Sequence, residues 1–143
     1  MLLVIDNGSV YTKNLLDFLN NKKISFEKQT PELLDLKLLY GYNSFILSGR
    51  RKNEKIINEI NSKIINHAIQ NDKKLLGICY GAEILALTLG GTIRKLAFPQ
   101  KGNEKINIQR ENLLSNDDLQ VFESHGFEIS KLPNILLVIG ESK

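Results

Sequence analysis

With a single cysteine, Cys79, the 143-residue chain can form no internal disulfide and no cysteine-based zinc cluster. No apolar run approaches the roughly 20 residues of a membrane-spanning helix, and none follows the basic head that opens a signal peptide. The cytoplasm is therefore the default compartment, with no membrane partner. No block of one charge sign is present: 19 Lys and Arg face 16 Asp and Glu, and the net +3 is scattered without interleaved aromatics. That distribution weighs against nucleic acid as a partner. Internal repeats and low-complexity linkers are lacking too. Neither a metal nor a cofactor is expected. What is left, 42% hydrophobic and 24% charged, describes one globular domain over residues 1–143, long enough to bury a real core.

The chain reads as strands alternating with helices. Met1 to Ile5 is an apolar run stopped by Asp6-Asn7-Gly8-Ser9, after which Leu15, Leu16, Phe18 and Leu19 recur at helical spacing. Ile24 to Lys28 alternates like a short strand. Thr30-Pro31-Glu32 offers a helix start ahead of Leu33, Leu34, Leu36, Leu38 and Leu39, so a second crossover helix is expected there. Ser44 to Leu47 is another buried strand, and Ser48-Gly49-Arg50-Arg51 follows at its carboxyl end, where open parallel sheets place their ligands. From Glu54 to Asn71 an isoleucine stripe (Ile56, Ile57, Ile60, Ile64, Ile65, Ile69) marks an amphipathic helix, with His67 near its far end as a surface or rim residue. After Gly90-Gly91 come short runs at Thr92–Arg94, Lys105–Ile108 and Leu119–Phe122, which read as antiparallel strands at the sheet edge. The fold class is α/β: a three-layer, mostly parallel open sheet with helices on both faces and a few antiparallel edge strands.

The stretch from Lys74 to Gly91 is where chemistry is expected. Leu75 to Ile78 is short enough for a buried strand, and Tyr80 to Leu89 is a longer apolar run closed by paired glycines. Gly77-Ile78-Cys79-Tyr80-Gly81 therefore sits on a sharp strand-to-helix turn, and glycines on either side leave the cysteine uncrowded. Cys79 is expected at the carboxyl end of a central parallel strand, facing a crevice. The start of the following helix favours a thiolate there. A lone cysteine beside a strand is otherwise a small buried hydrophobe; the flanking glycines argue for a nucleophile instead.

This pattern resembles the class I, triad-type glutamine amidotransferases, whose nucleophile motif reads G-x-C-x-G followed by His-Gln. Ala82-Glu83 stands where the family has His-Gln, and the resemblance makes Glu83 a substrate-side position. Asp6-Asn7-Gly8-Ser9 with Tyr11-Thr12 is most similar to the opening of the amidotransferase domain of GMP synthetases. Where the family reads Ser-Gly-Gly-Pro, this chain has Ser48-Gly49-Arg50-Arg51. The resemblance implies an oxyanion hole from backbone N–H groups of Gly49 or Arg50 and of Tyr80. Glu123-Ser124-His125-Gly126-Phe127 resembles the family's Ser-His-Gly segment, which implies that Ser124, His125, Gly126 and Phe127 hold the backbone end of glutamine from a loop closing a strand. The family's base and orienter come from a His-x-Glu motif, and this chain reaches Glu141-Ser142-Lys143 without one. The expectation is a C-terminally truncated fragment of a flavodoxin-like domain.

The resemblance implies a glutaminase: Cys79 attacks the side-chain amide of glutamine and releases ammonia to an ATP-dependent synthetase subunit or domain, in GMP synthesis. Residues 1–143 alone are expected to be inactive for want of base and orienter. Two other classes stay open. One is a non-catalytic glutamine-binding or regulatory module of the same fold, consistent with Glu83, Arg50 and the lack of His-x-Glu. The other is a γ-glutamyl peptidase-like cysteine hydrolase that differs only in its acceptor.

Overall fold

The structure, a computed structural model, describes residues 1–142. It separates into two compact units, Met1–Thr88 and the segment from Leu89 onward.

In the first unit, strands β1 (Leu2–Ile5), β2 (Phe26–Gln29), β3 (Ser44–Leu47) and β4 (Lys74–Gly77) form a sheet of order β2-β1-β3-β4 with every pairing parallel. Three helices accompany it: α1 (Thr12–Asn21), α2 (Lys55–Gln70) and α3 (Tyr80–Thr88). Successive strand residues face opposite sides. Val4 and Ile46 pack with Leu19 of α1, joined by Leu2, Leu15, Leu16 and Phe26. Leu3, Ile5, Phe45 and Leu47 alternate with them and are fully buried, and α2 brings Ile57, Ile64, Ile65 and Ala68 against β3 and β4. Phe45 meets His67 of α2 edge-on at 6.0 Å between centroids. The sheet is thus covered by helices on both faces, as expected for a doubly wound α/β fold.

Two local expectations fail in this unit. The leucine-rich segment after Pro31 forms no α-helix but two 3-10 stretches, Pro31–Leu33 and Leu36–Gly41. Between them Leu34 and Asp35 are extended, and the Asp35 carboxylate accepts from the Lys37 N–H, so the chain is capped afresh after one turn. Leu33 and Leu38 are left exposed, because five leucines in seven positions do not make a stripe at helical period. The other is β4, expected to be central; it is the terminal strand of the sheet among the described residues.

The second unit is an antiparallel sheet of its own, order β6-β5-β7, formed by β5 (Thr92–Ile108), β6 (Leu119–Lys131) and β7 (Gly140–Ser142). The runs at Thr92–Arg94 and Lys105–Ile108, read as separate strands, are the two ends of β5. Pro99 hid that continuity: the register jumps between Lys95↔Phe127 and Gln100↔His125, an irregularity that accommodates a residue with no N–H to donate. Ser124 to Phe127, expected in a loop, lie inside β6. No described helix is long and apolar enough to cross a membrane.

Candidate active site

The carboxyl ends of β1, β3 and β4 are joined by hydrogen bonds, and the site is built on that junction. Asn7, just after β1, donates its N–H to Ser48 Oγ at 2.9 Å and its Nδ2 to the Ser48 carbonyl at 3.0 Å. From α2, Asn61 completes the set: its Nδ2 donates to Asn7 Oδ1 at 2.7 Å and to the Ile57 carbonyl at 2.8 Å, and its Oδ1 accepts from Asn7 Nδ2 at 3.2 Å. All three residues are buried. A buried polar network whose members satisfy one another fixes a geometry that apolar packing would leave loose. One residue further, Gly8 and Arg50 form an isolated antiparallel bridge. The Ser48–Arg50 loop therefore stands on a rigid base where the sheet order reverses, the switch point at which open α/β sheets hold ligands. A cavity of about 320 Å³ opens there, with Asp6, Asn7, Thr30, Glu32 and Arg51 among its walls; Cys79 is not one of them.

Cys79 is presented by a sharp turn. The Ile78 N–H still bonds the Leu47 carbonyl at 2.9 Å, extending the ladder past β4, and the chain then reverses at Cys79 with φ of +53°. The Cys79 carbonyl accepts from Ala82 at 2.9 Å and Glu83 at 3.1 Å, the first bonds of α3. For a residue with a Cβ this left-handed conformation costs about 1–2 kcal/mol, and it persists only where its surroundings force it. The flanking glycines supply that force. A Cβ on Gly77 would lie 2.5 Å from the Gly81 carbonyl carbon, and one on Gly81 would lie 2.2 Å from the Leu47 carbonyl oxygen. They are glycines because α3 starts in backbone contact with β3 and β4, a tighter reason than leaving the nucleophile uncrowded. A Cβ on Gly49 would sit 3.6 Å from Cys79 Cβ, so the loop passes directly beside the cysteine.

The electrostatics run against one expectation. Cys79 is an exposed residue, yet burial of its thiol group and the charge of Glu83 raise its pKa, outweighing the Tyr80 N–H bond to the sulfur and the positive charge of Arg50, which lower it. The helix start favours the thiolate as expected, but desolvation is the larger effect. Glu83, only 9% exposed in the first turn of α3, is the nearby carboxylate. Burial also pushes the Tyr80 hydroxyl up to about 12, against the lowering pull of Arg50.

Arg50, expected as part of a solvated basic loop, is half-buried and engaged. Its guanidinium lies 4.0 Å from the centre of the Tyr80 ring and donates to Asn58 Oδ1 at 2.7 Å and Asn53 Oδ1 at 2.8 Å. The Tyr80 hydroxyl donates to the same Asn58 oxygen at 2.7 Å. Arg50 has no positive φ, so its backbone needs no glycine. Asn58 and Asn61 were not singled out from the sequence, and Asn7 was read only as part of the Asp6–Ser9 motif. Asn61 carries a legible signal: it lies four residues after Ile57 and three before Ile64, on the buried side of the isoleucine stripe.

Of the residues singled out, the first unit brings together Gly49, Arg50, Cys79, Tyr80 and Glu83. Ser124, His125, Gly126 and Phe127 belong to the second unit. There the His125 ring is held by its own strand, with Nδ1 bonded to the Phe127 carbonyl at 2.7 Å and Nε2 to Glu123 Oε2 at 3.2 Å. His67 is of intermediate exposure: its ring packs edge-on to Tyr40 and Phe45, and its Nε2 is buried without a hydrogen bond.

Residues 3–143 match the family model for class-I glutamine amidotransferases. Among curated proteins, the chain is similar to one subunit of the glutamine-hydrolyzing GMP synthase of Thermoplasma acidophilum, 28% identical over 137 residues that cover 93% of this chain and 68% of the relative. It is also similar to the glutamine-hydrolyzing GMP synthase of Petrotoga mobilis, 31% identical over 92% of this chain but only 26% of the relative. A crystal structure of a GMP synthase subunit from Thermoplasma acidophilum superposes with a TM-score of 0.83 at 25% identity, covering 99% of this chain and 72% of that one. A Thermotoga maritima glutamine amidotransferase, at 22% identity and a TM-score of 0.78, shares the fold over 97% of this chain and 65% of its own.

Proposed function

The chain belongs to the class-I glutamine amidotransferases, and from that membership we propose that it is the glutamine-binding, ammonia-releasing part of a cytoplasmic system that makes GMP. The Cys79 sulfur attacks the side-chain amide carbon of glutamine, the carbon–nitrogen bond breaks, and ammonia leaves with the thiol proton. Water then hydrolyses the thioester to glutamate and free thiol. Backbone N–H groups of Tyr80 and of the Gly49–Arg50 segment stabilise the oxyanion of each tetrahedral intermediate. Within the first unit, Glu83 contributes to glutamine recognition. An ATP-dependent synthetase subunit or domain receives the ammonia. The observation that carries this reading is the strained turn at Cys79, which holds a side-chain-bearing residue at φ +53° between two glycines that nothing larger can replace.

A second reading, a glutamine-binding module without turnover, draws support from the raised thiol pKa and from the Glu83 carboxylate that contributes to it. Covalent labelling by a halomethyl ketone analogue of glutamine tests what both share. The expected result is modification of Cys79 that is faster than by a simple haloacetamide and slowed by free glutamine. Labelling indifferent to glutamine would overturn the proposal.

A further inference from the structure

We infer that Arg50 is a positioning residue, whose side chain clamps the Ser48–Arg51 loop onto the turn that presents Cys79. The loop and the turn come from different strands, and their backbone groups must keep a fixed relation if they are to act on one substrate atom. The asparagine network holds the root of the loop at Ser48, whose Oγ donates to the Gly49 carbonyl at 2.8 Å, and the Gly8–Arg50 bridge ties the loop backbone to the segment after β1, but neither reaches the turn that presents Cys79. Beyond them, the contacts that cross to the turn are those of Arg50. The guanidinium carbon sits over the Tyr80 ring, 4.0 Å from its centre, and Tyr80 is the residue immediately after the cysteine. Asn58 Oδ1 then accepts from both Arg50 (2.7 Å) and the Tyr80 hydroxyl (2.7 Å), so a single α2 oxygen holds loop and turn in register. Asn53 Oδ1 takes a further bond from the same arginine nitrogen and one from Asn58 Nδ2 at 3.1 Å, which stops the asparagine from rotating away.

The arrangement needs arginine in particular. A planar fork can stack on a ring while its edge donates to two amides, which an ammonium on a flexible stem does not reproduce. A solvated loop arginine would need none of these partners. The cation also opposes the effects that raise the Cys79 thiol pKa. A loosened clamp is therefore readable at the cysteine itself. The inference rests on Cys79 as the reactive group of the proposed function, but its test needs no glutamine, so the two can fail separately.

The test is the rate of Cys79 alkylation by iodoacetamide across neutral and alkaline pH, followed by mass spectrometry, with hydrogen exchange of the Ser48–Arg51 amides measured on the same proteins. For Arg50→Ala the expected result is a profile displaced to higher pH, a several-fold slower reaction near neutrality, and faster exchange in the loop. Arg50→Lys should return the profile towards that of the parent while exchange stays fast, because charge is restored and the fork is not. If Arg50→Ala does not fold, Asn58→Ala, which keeps the arginine but removes the oxygen it shares with Tyr80, must give faster loop exchange. Alkylation and exchange that match the parent would overturn the inference. So would a displaced profile with unchanged exchange, which would reduce Arg50 to a distant charge.

Discussion

Cys79 holds two opposed features, a strained backbone and a thiol whose ionisation its surroundings resist, and each leads to a measurement. The strain predicts a difference between two variants that both lack sulfur. Cys79→Gly relieves the left-handed conformation, worth about 1–2 kcal/mol, but loosens the unfolded chain by up to about 1 kcal/mol. It should therefore be at least as stable as Cys79→Ala, and more stable by up to about 2 kcal/mol, in urea unfolding; lower stability would mean the turn is not strained. The thiol predicts a pH effect with a definite sign. Burial raises its pKa first and the Glu83 charge adds to the rise, so less thiolate exists at any given pH than on an unperturbed cysteine. Removing that negative charge with Glu83→Gln should move the iodoacetamide profile of Cys79 to lower pH and speed the reaction near neutrality. A shift in the other direction would show that Glu83 acts through another group. The position of Cys79 was legible because glycine spacing around a lone cysteine is a local pattern. The balance of its ionisation was not, since it depends on how deeply the turn is buried and on a guanidinium from another loop.

At the level of elements, β1, β3, β4, α1 and α2 were legible because short apolar runs and a long isoleucine stripe declare their periods locally. The segment after Pro31 and the length of β5 were not, for opposite reasons. Leucines without a stripe suggested a helix where Asp35 recaps the chain, and Pro99 suggested a strand end where the ladder absorbs a bulge. The packing of α3 against β3 and β4 gives the sharpest element-scale prediction. In Gly81→Ala the new methyl would meet the Leu47 carbonyl oxygen at 2.2 Å, a backbone atom inside a paired strand that cannot rotate aside. The expected cost is about 3 kcal/mol or more, a large share of a typical domain's 5–15 kcal/mol. The opposite expectation holds at Gly41, where a Cβ meets nothing within 4 Å. If Gly81→Ala unfolded at the same denaturant concentration as Gly41→Ala, the close approach of helix and strand would be wrong.

On the scale of the whole molecule, the question is what a polypeptide of these 143 residues does with glutamine. Alkylation of Cys79 needs only some thiolate, whereas turnover needs a group to take the thiol proton and return one to departing ammonia. The sequence holds two histidines, neither in a His-x-Glu motif. His67 lies in the last turn of α2, packed edge-on against Tyr40 and Phe45, next to the buried Ala68. His125 lies in β6 with both ring nitrogens engaged by Glu123 and Phe127. To serve as the base it would have to give up bonds that its own strand provides. General acid–base assistance is worth roughly 10²–10⁴-fold, and groups that act as a unit lose more than that when one is missing. The expected outcome is that this polypeptide is labelled at Cys79 yet releases ammonia from glutamine no faster than its Cys79→Ala variant. The informative comparison adds His125→Ala. If ammonia release depended on Cys79 and fell again when His125 was removed, His125 would be the base and the prediction would be wrong. If release depended on Cys79 but not on His125, the proton would be moving through solvent or through Glu83, and Glu83→Gln would decide between them.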